Sequence, residues 1–179
     1  MITRFLLTLV ISLLLANTAL AQRDYLTPQE VDLVKEAQIL DKRIDVFIRA
    51  AERRLIVISG SAAANAKQLK KESERWGELP TGSRTELVSD IARIIDAAID
   101  NIDDVSLHDE RSPLIAKSLR KLAASANSMM AQLKPLSAQA KSDAEIASFE
   151  QLNEGVQSIM EAVTKLPPEV EKKAKKDKN

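Results

Sequence analysis

Near the end of this chain, Phe149, Leu152, Val156, Ile159, Val163 and Leu166 recur at steps of three, four, three, four and three. That spacing sets all six on one stripe of an α-helix, whereas a strand would scatter them over both of its faces. The seam has the a/d pattern of a coiled coil, so in water it has to be covered, by the rest of the chain or by a second copy in a dimer. Comparable stripes run through the rest of the sequence. Leu33, Ala37, Leu40, Ile44, Phe47, Ala51, Leu55 and Ile58 form one. Leu87, Ile91, Ile94, Ala98 and Ile102 form another, widened by Val88, Ile95, Ile99 and Val105. Leu119, Leu122, Ala123, Ala126, Met129, Met130 and Leu133 form a third, begun by Leu114 and Ile115.

Start and stop signals frame these stripes. Thr27 and Glu30, Ser83 and Glu86, and Ser142 and Glu145 each have the spacing of a capping box, and Pro28 and Pro113 suit first helical positions. Asp41 is placed to cap a new helix, which allows a break at 39–41. Asp45 and Arg49 are spaced for an i,i+4 ion pair. Gly60 costs only about 1 kcal/mol inside a helix, so helix is expected to continue or resume up to Trp76. Gly77, Pro80 and Gly82 mark a loop. The next helix is expected over 84–105, with 107–111 as a connector. The one after it should end or kink at Pro135, and Pro167 and Pro168 stop the last. Only four Gly and five aromatic residues in 179 argue against a sandwich or barrel, which needs turn glycines and β-favouring rings. The expected fold is all-α: an antiparallel bundle of four main helices, with a fifth short one allowed, over residues 22–166. A mobile Lys-rich tail over 167–179 would follow.

Residues 1–21 read as a removable export signal. Arg4 supplies the positive start, Phe5 to Leu15 the apolar run, and Ala19-Leu20-Ala21 the small-x-small cleavage pattern, which places the cut before Gln22. The apolar run is shorter than the roughly 20 residues a spanning helix needs. The expected destination is a bacterial periplasm or the extracellular medium, with no transmembrane segment in the processed chain. Beyond residue 21 the charges nearly cancel, 25 basic against 26 acidic. The last 15 residues nonetheless hold six Lys against three acids. A chain so balanced is no partner for nucleic acid.

Reactive constellations are scarce. Without Cys there is no disulfide, thiol nucleophile or thiolate metal site. One His, His108, cannot supply a two-imidazole di-iron site, and from a connector it is poorly placed to share a haem with Met129, Met130 or Met160, which fit core stripes. Neither a nucleophile elbow nor a phosphate-binding glycine loop occurs, so neither catalysis nor a cofactor is expected. Asp96, Asp100, Asp103 and Asp104 share an arc of about 100° on the second main helix, where carboxylates could hold a hard cation. The same arc lies opposite the apolar stripe, which fits a solvated face. The small residues from Ala116 to Ala131, and Trp76 at its helix end, are expected to pack inside the bundle. Lys172, Lys173, Lys175 and Lys176 could rest on an anionic surface. The sequence therefore points to an exported, non-enzymatic protein that acts through protein–protein or envelope-surface contacts. A cation-binding bundle is the alternative, and an oligomer is allowed but not required.

Overall fold

The computed structural model describes residues 23–167. The export signal at 1–21 and the lysines at 172, 173, 175 and 176 lie outside the described residues. Every element within them is an α-helix, and six are formed: α1 Pro28–Glu36, α2 Leu40–Ile58, α3 Ala66–Trp76, α4 Arg84–His108, α5 Pro113–Ser137 and α6 Asp143–Thr164. The all-helical expectation holds. The expected number of helices does not, because the run from Pro28 to Trp76 is cut twice.

The first cut falls at 37–39. Ala37 leaves helical geometry and Ile39 is extended. The Arg43 Nε–H donates to the Ala37 carbonyl at 3.0 Å, which satisfies one of the acceptors the break exposes. Asp41 does not cap α2; it sits buried in the first turn, turned toward α5. The second cut falls at Gly60. Its φ is +65°, its N–H bonds to the Val57 carbonyl, and the Ser61 N–H reaches back to Ile56. This 6→1 and 5→2 pair is a Schellman motif, so Gly60 ends α2 where the sequence allowed it to continue.

Other boundaries follow from local chemistry. Both halves of the capping box form at Thr27/Glu30 and at Ser83/Glu86. At α6 only half forms. Ser142 caps the Glu145 N–H, while the Glu145 side chain turns to Arg84 and the Lys141 N–H. Two expectations about helix ends are corrected. α4 runs on through the start of the expected connector to His108, whose Nδ1 lies 2.7 Å from the Asp104 carbonyl and tidies the last turn. α5 does not end at Pro135 but continues to Ser137. A proline this near the C-terminus removes only one ladder bond, in a turn that is about to end.

α2 packs against α4 and α5, and α6 packs against the same two helices; α4 and α5 also touch, while α1 rests on α2 and α3. The stripes meet in the middle. Ile44, Ala50, Ala51, Val88, Ile91, Ile94, Ala98, Leu122 and Leu133 have no measurable exposure. The seam of α6 serves this core: Phe149, Leu152, Val156 and Ile159 are buried, and Val163 and Leu166 pack at its edge. Gly155 lets α6 lie close to α4, for a Cβ there would stand 3.2 Å from Asp96 Oδ1. α3 buries only Trp76, over which the Arg53 guanidinium lies 5.6 Å from the ring centre. Trp76 thus lies in the core, as expected. Met160 does not, being 40% exposed.

Candidate functional site

The most unusual group in the interior is ionic, and its pairing across helices was not legible in the stripes and caps. Glu30, Arg53, Arg54 and Asp90 come from three helices and are each at most 3% exposed. Glu30 faces two guanidiniums. Arg54 Nη1 donates to Glu30 Oε1 and Arg54 Nη2 approaches Oε2, both at 2.8 Å, and Arg53 Nε lies 3.3 Å from Oε1. The same carboxylate accepts the Thr27 N–H at 2.9 Å, so one side chain caps α1 and neutralises α2. Arg53 spends its other end on the carbonyls of Trp76, Gly77 and Glu78, tying down the end of α3. Asp90 of α4 receives Arg23 Nη2 at 3.0 Å and stands 3.8 Å from Arg54 Nε. Burial pushes the Asp90 carboxyl up from its ordinary pKa, against the pull of Arg23, Arg54 and Arg93.

Together these groups strap the segment before α1 to the body. Arg54 Nη2 donates to the Tyr25 carbonyl at 2.6 Å and Arg93 Nη1 to the Arg23 carbonyl at 2.8 Å, while the Arg93 guanidinium lies 4.6 Å from the Tyr25 ring centre. A partial signal was present in the sequence. Asp90 stands three residues after Leu87 and four before Ile94, and Arg54 three after Ala51 and four before Ile58. Charges on a core stripe are either paired or wrong, because an isolated buried ion costs several kcal/mol.

A second ionic knot joins α2 to α5. Asp41 accepts Lys121 Nζ at 2.6 Å and Lys117 Nζ at 3.0 Å, and Asp45 accepts Lys121 at 2.7 Å. These hydrogen bonds, Lys121's first and Lys117's second, hold the Asp41 carboxyl below the usual aspartate range. Asp45 is therefore engaged across the helices and not with Arg49 on its own helix, which pairs with Glu52 and Glu72.

The acidic stripe of α4 does not converge. Asp96 accepts a hydrogen bond from Gln151 Nε2 at 3.0 Å, Asp100, Asp103 and Asp104 are exposed, and the four share no common ligand position. Among the described residues no three His, Cys, Asp or Glu side chains are grouped so as to hold a metal ion. His108 is exposed at the far end of α4 from Asp90, about 27 Å away at 1.5 Å per residue. Of the small residues on α5, Ser118, Ala123 and Ala126 are buried, and Ala124, Ser128 and Ala131 face outward.

A surface cavity of about 630 Å³ forms a groove between the second half of α5 and the first half of α6. Leu133 and Phe149 form its floor, and Met130 and the 41%-exposed Ile146 its walls. Lys134 stands on the α5 side and Glu150 on the α6 side; both are exposed, and neither belongs to an ion pair among the described residues. The groove suits apolar contact with polar edges. No helix among the described residues is long and apolar enough to cross a membrane.

No protein-family model, curated protein or solved structure matches the chain.

Proposed function

We propose that this chain is an exported, non-enzymatic protein that acts by contact. In this reading α2, α4, α5 and α6 form an antiparallel four-helix bundle released from the signal at residues 1–21, and the Lys-rich segment meets an anionic envelope surface. One observation carries it. The buried ionisable groups are engaged in ion pairs that hold helices together, while the groove between α5 and α6 has an apolar floor. A catalytic site would instead gather perturbed polar groups around such a cavity. The acidic face of α4 has no comparable support as a cation site, since Asp96 is engaged by Gln151 of α6 and, among the described residues, no three carboxylates group together.

The test is sedimentation of the processed protein with its own envelope fraction and with vesicles rich in anionic lipid. Each lysine near such a surface contributes about 1 kcal/mol. Replacing Lys172, Lys173, Lys175 and Lys176 by Ala should therefore abolish most binding, and raised salt should mimic the change. Unchanged binding by the fourfold variant would overturn the surface-contact reading. N-terminal sequencing of the exported product checks the cut before Gln22.

A further inference from the structure

The seam of α6 at 149–166 has the spacing of a dimer zipper, yet its residues are consumed by the chain's own core. What α6 leaves uncovered is a different line, with Ile146 at its head and Glu150 one turn later. Across the groove α5 repeats the arrangement in opposite charge, with Met130 and then Lys134 one turn later. Each side of the groove thus offers an apolar side chain followed by a charge. The two charges have opposite sign, and neither has an ionic partner among the described residues.

We propose that this groove is the interface of a two-fold homodimer, in which Lys134 of each copy pairs with Glu150 of the other. The surface is self-complementary. In an isologous contact residue i meets j and j meets i, so a surface can pair with itself only if its charges come as matched opposites on either side of the axis. Here α5 laid against the α6 of a second copy forms both ion pairs at once and covers Ile146 and Met130 with their counterparts. A head-to-tail copy could form only one of the pairs. An amphiphile with a single charge would satisfy one side of the groove and leave the other unmatched. This inference goes beyond the surface-contact reading, because it needs neither the Lys-rich segment nor an envelope.

The experiment is sedimentation velocity on the protein as processed by an exporting host, from about 1 µM to about 1 mM, a range that brackets weak self-association. The parent is expected to pass from monomer to dimer within that range. Lys134→Glu and Glu150→Lys each set like charges face to face twice per dimer, and each should raise the dissociation constant by about tenfold or more. Mixing the two variants pairs a copy that is acidic at both positions with a copy that is basic at both. Opposite charges then meet at both contacts again, so dimer should return. Both positions are exposed, and melting followed by circular dichroism checks that each variant remains folded. A parent that stays monomeric up to about 1 mM overturns the proposal. So does a dimer indifferent to both reversals, or one that mixing fails to restore. Envelope binding, read on the same samples, fails or stands separately.

Discussion

Replacing Glu30 by Gln removes a charge from the interior without removing volume. The amide keeps one acceptor for the guanidiniums, but its NH₂ must face either Arg54, Arg53 or the Thr27 N–H, all of them donors. Breaking one partner of a buried ion pair costs about 3–5 kcal/mol. The low end applies here, because Arg53 retains three carbonyls and Arg54 retains those of Tyr25 and Ala50. We expect a loss of about 3 kcal/mol in urea unfolding followed by far-ultraviolet circular dichroism. For a chain of this size that corresponds to a melting temperature lower by about 10 °C. Asp32→Asn is the control: the same helix, a carboxylate 71% exposed and paired with Lys35, and an expected change within about 0.5 kcal/mol. Combining Glu30→Gln with Arg54→Met should cost less than the two single changes added together, by about 2 kcal/mol. A single-variant cost below about 1 kcal/mol would contradict this account, since Glu30 would then be worth no more than a surface ion pair.

Gly60→Ala should cost about 1 kcal/mol through its φ of +65° alone, since a Cβ there meets nothing within 4 Å; Gly60→Asn should cost less in the same urea assay. Asp41 has a depressed folded pKa, so its contribution is present above the unfolded value of about 3.9 and fades as pH falls through and below it. The stability gap between parent and Asp41→Asn, read by urea titration across pH, should accordingly be widest near neutrality and close in acid. Asp90 works with the opposite sign: its folded pKa is raised, so the folded state takes up the proton first and acidification favours folding at this site. Asp90→Asn lacks that compensation and should lose stability more steeply than the parent between neutral pH and about pH 4.

The helical stripes were legible because burial of an apolar side chain depends on its angle around the helix, and that angle is written in the spacing. Ile44, Ile91, Leu122 and Leu152 are buried as their spacing demands. The caps were legible for a related reason, since the Thr27/Glu30 and Ser83/Glu86 boxes close within one turn. Partners far apart in sequence were not. Spacing favours the local pair Asp45–Arg49, yet Arg49 finds Glu72 and Asp45 finds Lys121, 76 residues away. Glu145 likewise leaves its local box for Arg84. Gly60 was ambiguous for a different reason. A glycine's cost inside a helix is small enough that only the φ it adopts decides between interior and terminus. The groove between α5 and α6 was invisible because Ile146 and Met130 belong to different helices, and their exposure depends on how those helices pack.

The strap over Arg23–Glu30 also sets the order in which the molecule should open. α4 touches α2, α5 and α6, so its amides can exchange only when most of the core has come apart. α1 and α3 are peripheral: α1 buries Glu30 and Leu33, and α3 buries Trp76 alone. By apolar contact the two should open at similar low free energies. They differ in their ionic anchors. α1 is tied at its first turn through Glu30, and the segment before it through Tyr25 and Arg23, whereas α3 is held at its last turn by Arg53. Native-state hydrogen exchange on the parent should therefore place α4 highest and α1 above the first turns of α3. Glu30→Gln should bring α1 down to the level of α3 and shift α4 only by the global loss. If α1 and α3 exchange at the global rate in the parent, the network adds nothing local, and the order of opening follows from the core alone.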